Sequence, residues 1–207
     1  MRTKNSRAAF ISAFLALAAS AVLTAAEPDW AAVDEALGAS GKDLPGGVHR
    51  FGWPRTDLHV KVSALPGPAV AIQAGLALGS WGAFLRGTGV AGATTAMTMG
   101  DLVLLESEVT PVVTALQAGG LDVLAIHNHL IGEEPHVVYV HFGGHGEPAT
   151  LARALRAALD KTGTPRVAPA PAEVPPADRA AFQKVQEALG RTGSMAGAVL
   201  QVSVPRA

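Results

Sequence analysis

The chain reads as an α+β protein: a mixed, largely antiparallel sheet carrying a β-α-β-β-α unit, with its helices packed on one side. Three observations predict this class. Residues 102–105 form a short continuous apolar run of the kind buried in a sheet, and an amphipathic helical stretch follows it. Two further strand-like segments come next, 121–129 and 136–142, and then a second helical stripe formed by Leu151, Leu155 and Leu159. Strands and helices in that order give one parallel crossover and one hairpin.

The N-terminus places Arg2, Lys4 and Arg7 before an uncharged, alanine-rich run from Ala8 to Ala26, the three-part pattern of a secretory signal with its cut after Ala26. The expected product is exported, periplasmic or extracellular, and is not an integral membrane protein once the signal is removed. Loss of the three leader cations leaves 13 Lys and Arg against 17 Asp and Glu, a net charge of −4. A mildly acidic surface without a basic cluster argues against nucleic acid and anionic membranes as partners. There is no cysteine, so no disulfide or acylated-cysteine anchor exists. Any metal site must then be built from imidazole, carboxylate and water.

Trp30, Val33 and Leu37 share helical spacing, and Gly38 and Gly41 end that helix. The segments 46–53 and 57–63 read as two strands joined by a turn at Pro54-Arg55-Thr56. In the second of them, Asp57, His59 and Lys61 would share one solvated face. Strands are also expected around 76–85 and 93–99, with Trp81 and Phe84 as packing residues and Gly87-Thr88-Gly89 as a turn. Ser107 is placed to cap the helix whose first turn holds Pro111; Val109, Val112, Val113 and Leu116 form its buried stripe and Gly119-Gly120 its stop. The last helix of the unit starts at Pro148, and Gly163 lies beyond its end.

Five of the seven histidines fall between His127 and His145. His127 and His129 are two apart, so on a strand both rings leave the same face. If residues 131–134 form the hairpin loop, His141 comes opposite His127 and Tyr139 opposite His129. Three imidazoles on one face would resemble a three-ligand zinc site with a position left for water, while a one-residue slip would turn His141 away. Glu134, or its neighbour Glu133, could act as base from the loop, and His145 in a Gly-rich turn could swing toward the cluster's edge. His136 is expected at the surface. The competing interpretation is a set of core or pH-responsive histidines in a non-catalytic envelope module that binds a small molecule or another envelope component.

Several motifs together resemble the LppY/LpqO family of exported bacterial proteins: PRTDL at 54–58, GSWGAF at 79–84, MGDLVLLESEV at 99–109, HNHLIGEEP at 127–135 and VHFGGHGEPATLARALRAAL at 140–159. The resemblance implies an exported domain with a His-rich hairpin and carries no established activity. Lipoprotein members of that family bear a lipobox cysteine that this sequence lacks. Two other metalloprotein families share the H-x-H element. Cupins require a carboxylate and glycine at intervals that are not met here, and no histidine has the aspartate four residues on that lysostaphin-type zinc peptidases use. The peptidase remains a lower alternative.

The expected organisation is thus a signal at 1–26, a domain at 27–163, a Pro-rich linker at 164–181, and at 182–207 the start of a second repeat. The repeat rests on VQEALGRTG at 185–193 matching VDEALGASG at 33–41, and on residues 196–206 matching 46–55. Members of the resembled family usually carry two copies. A half-repeat of this kind either docks on the first copy or presents an edge for self-association.

Overall fold

A computed structural model of the protein describes residues 30–63, 66–87, 95–167, 173–196 and 198–204. The leader, most of the Gly87-Thr88-Gly89 turn and the centre of the Pro-rich stretch lie outside these. The elements in chain order are α1 (Trp30–Leu37), β1 (Lys42–Leu44), β2 (Val48–Pro54), β3 (Lys61–Val62), β4 (Val70–Ala71), α2 (Ala74–Ala77), β5 (Gly79–Arg86), β6 (Ala96–Leu105) and α3 (Glu106–Ala118). They continue as β7 (Asp122–His127), β8 (Glu133–Glu134), β9 (Val137–Gly146), α4 (Pro148–Leu159), α5 (Pro176–Leu189), β10 (Ser194–Ala196) and β11 (Val199–Gln201). Among the described residues no helix is long and apolar enough to cross a membrane.

The α+β class stands, with a six-stranded sheet in the order β1-β2-β5-β6-β9-β7. The crossover through α3 carries the chain from β6 to β7, which run parallel, but β9 returns between them and pairs antiparallel with both. Period-2 alternation on β2, β5, β6 and β9 sends Phe51, Trp53, Phe84, Leu102, Leu104, Val140 and Phe142 to one face. The apolar stripes of α1, α3 and α4 close over that face through Val33, Leu37, Val112, Leu116, Leu151, Leu155 and Leu159. Glu147 caps α4 by accepting from the amides of Ala149 and Thr150.

Among the described residues the opposite face is only half covered. Val60 and Leu78, from the connection between β2 and β5, pack on Val103, Val137 and Tyr139 under a small sheet of order β4-β3-β8. This region departs from the expected second strand, because only Lys61 and Val62 pair. Asp57 sits in a turn where its carboxylate accepts from Arg55, at 2.9 Å from Nη2, so Asp57, His59 and Lys61 share no strand face. Arg55 is fully buried and also donates to Glu108 and to the Val103 carbonyl, both at 2.7 Å. Drawn toward Arg55, Glu108 accepts from the Leu105 amide at 2.9 Å, so α3 begins one residue ahead of Ser107.

Beyond the domain, α5 takes in residues 176–181 of the stretch read as linker. The α5-β10-β11 tail repeats the element order of α1-β1-β2 and some of its detail. Gly38 and Gly190 both end their helices at positive φ, 64° and 60°. Asp34 Oδ1 accepts from the Gly41 amide at 3.0 Å, and Gln186 Oε1 accepts from the Gly193 amide at 2.7 Å.

Candidate functional site

The histidines gather at the boundary between the covered and open halves of the second face. On β9, His141 stands two residues past Tyr139, so both project to this side. The β7–β9 register places His127 opposite Tyr139 and Ala125 opposite His141, two residues away from the expected pairing of His127 with His141. The connection from 128 to 136 is longer than a tight hairpin because it contributes β8 to the small sheet, while the bulge of β7 between Val123 and Ala125 lies on the far side of these pairs. An even displacement keeps every side chain on its face, so His127 and His141 still meet. His129 lies past the end of β7, and its ring folds back to stack on Tyr139 with centroids 3.7 Å apart.

One donor nitrogen from each of His127, His129 and His141 lies within 4.8 Å of the other two, and the three could hold a metal ion. The Nε2 atoms of His127 and His129 are 3.0 Å apart, and the rings of His127 and His141 stack at 4.8 Å. Beneath them lies a fourth group that the sequence reading left out of the site. Asp101, opposite His141 on β6, is 5% exposed, with Oδ2 at 3.7 Å from His141 Nε2 and 4.0 Å from His129 Nε2. Buried polar atoms normally find partners, yet His141 Nε2 and Asp101 Oδ1 have none among the described residues. Both belong to groups that ligate divalent cations, so the donor set fits an ion whose bonds would satisfy them. One signal for Asp101 was present in the sequence: a single carboxylate heading the apolar run 102–105.

Electrostatics keep His129 in ligand form. Burial lowers the pKa of His129; Asp101 pulls it up, and repulsion from His127 and His141 adds to the lowering. His129 is therefore neutral at neutral pH, as a metal-binding imidazole must be. Burial, with Asp101 and Glu133, pushes the Tyr139 phenol to about 12, and its hydroxyl donates to the Ala77 carbonyl at 2.8 Å. Tyr139 thus keeps its proton at neutral pH and forms a wall of the site.

The structure does not bring the two expected proton-handling residues to the cluster. Glu134 is exposed on β8, opposite Lys61. His145 is held within β9 instead of a turn, because Gly143 to Gly146 continue the ladder with β6 and set it opposite Met97. Four residues along a strand from His141, it is roughly 13 Å away. Glu133 is the buried member of the Glu pair, and it holds His136 Nδ1 at 2.8 Å.

A cleft of about 600 Å³ opens from His129, Asp101 and Tyr139 across the uncovered sheet face toward Trp81 and β2. A family model described as Domain of Unknown Function (DUF1259) matches residues 31–161. No curated protein and no solved structure matches the chain.

Proposed function

The chain belongs to that family of unknown function, and we propose that it is an exported metal-binding protein whose His127–His129–His141 centre, with Asp101 beneath it, serves a hydrolytic reaction. The convergence of three imidazole nitrogens within 4.8 Å beside a buried carboxylate carries this reading. Zinc is the ion of choice, since three protein imidazoles with one position left for water is its usual catalytic arrangement. An ion so held lowers the pKa of bound water and polarises a carbonyl or phosphoryl oxygen. Asp101 takes the role assigned from sequence to Glu134 or His145, because its carboxylate is the acid that lies against the ligand atoms. Its Oδ1, left without a hydrogen-bond partner among the described residues, accepts a proton. Export rests on the charged, alanine-rich leader pattern and on the resemblance to LppY/LpqO proteins.

The competing reading, a non-catalytic envelope module, draws on the hydrogen bond that His127 and His129 can share without an ion, at 3.0 Å. Metal analysis separates the two. Protein reconstituted with zinc should retain about one equivalent per chain, and His141→Ala should fall below about a tenth of an equivalent. Retention of less than a tenth of an equivalent of any transition metal by the unaltered protein would sink the metal reading.

A further inference from the structure

The cleft beside the histidine cluster has a second, chemically distinct end. Direct cross-strand partners share a face, and the pairings Gly52 with Trp81, Trp81 with Asp101, and Asp101 with His141 set these residues in one row across four strands. Arg50 lies one step along β2, with its guanidinium carbon 4.7 Å over the centre of the Trp81 ring. Its direct partner on β1 is Lys42, so two cations face each other across a strand pair. Like charges so placed repel, and neither Lys42 nor Arg50 forms an ion pair among the described residues. The neighbouring acid, Asp43, is directed to the other face, where it bonds His49 Nδ1 at 2.7 Å. Both cations line the cleft, as does Gln201 of the C-terminal hairpin.

We propose that this cleft selects the ligand of the histidine centre: a small molecule with an oxyanion group, carboxylate or phosphate, held by Arg50 and Lys42, and a flat segment lying along Trp81. The inference rests on the metal-site reading for the position of the reacting end alone. Trp81 is one strand from Asp101 and two from His141, so the guanidinium over its ring stands roughly 10 Å from the imidazoles. That span excludes ligands as short as acetate or phosphate from touching both ends, and fits a single ring with substituents at opposite positions. Recognition of an oxyanion by a guanidinium is directional as well as charged, so Arg50 decides selectivity and Lys42 adds attraction.

The probes are benzohydroxamate, which chelates zinc through a flat ring, and 4-carboxybenzohydroxamate, which adds a carboxylate at the far end. Titration calorimetry on the zinc-loaded full chain should show the carboxylated probe binding about tenfold tighter. The double variant Lys42→Ala, Arg50→Ala should bring the two probes to parity with zinc content unchanged. Equal affinities in the unaltered protein would overturn the proposal. If the chain holds no zinc, the metal reading fails separately, and terephthalate added to metal-free protein decides the matter through tryptophan fluorescence. Saturable quenching that the double variant loses upholds the anion end, and absence of saturable quenching overturns it.

Discussion

His49 and His129 carry the same ring into opposite surroundings. Burial lowers the pKa of His49, but hydrogen bonds with Asp34 and Asp43, at 2.9 and 2.7 Å, outweigh it and leave the pKa above 6.5. Stacked on Trp30, the ring ties α1 to β1 and β2. Because the folded pKa is raised, the stabilisation is fully present below pH 6.5 and fades as pH rises through the folded value. His49→Gln should therefore cost about 1–2 kcal/mol at pH 6 and clearly less at pH 9, read from urea midpoints at the two pH values. Arg55 gives a larger effect. Arg55→Met leaves Asp57 and Glu108 without the cation that pairs them, with side-chain exposures of only 27% and 12%. A loss of about 3–5 kcal/mol is expected in chemical denaturation. The histidine cluster was legible in the sequence as a local enrichment, but the expected strand facing holds for His127 and His141 alone, because His129 lies past the end of β7 and folds back on Tyr139. The roles of Arg55 and Asp101 were not legible, since their partners lie on other elements and only the folded register brings them together.

Among elements, the β6–β9 ladder positions the site, and it depends on glycine where strands and helices crowd. A Cβ at Gly100 would come within 2.5 Å of the Phe142 ring and 2.3 Å of the Trp81 carbonyl. Gly100→Ala should thus destabilise the protein by about 1–3 kcal/mol and lower zinc retention along with it, since Asp101 is the next residue; thermal melting and metal content measured together test this. The end of α1 at Gly38 and the start of α4 at Pro148 were readable, because both are set by local signals. The strand expected over 57–63 shortened to Lys61–Val62 for the converse reason: Arg55 draws Asp57 into a turn. The β7–β9 register shifted by two residues under the long connection, and the site survived because the shift was even.

At the scale of the whole molecule, the tail is a second rendering of the opening elements with a different fate. Val33 and Leu37 are 0% and 1% exposed in the core, whereas Val185 and Leu189, their counterparts on α5, are 45% and 54% exposed. Among the described residues α5 buries no side chain. Removing residues 173–207 should accordingly lower the melting temperature of the rest by no more than about 3 °C, near 1 kcal/mol. It should also abolish any concentration-dependent self-association seen by sedimentation, since it takes away the exposed apolar helix face. The sequence by itself determined the α+β class, the three core helices and the strand pair bearing His127 and His141, all properties of local period and composition. Tertiary structure alone decided that Asp101 lies under the imidazoles, that Glu134 and His145 stand apart, and that Trp81 and Arg50 share the cleft. Those outcomes depend on cross-strand register and strand order, which arise from bulges, connection lengths and a buried ion network that no local periodicity encodes.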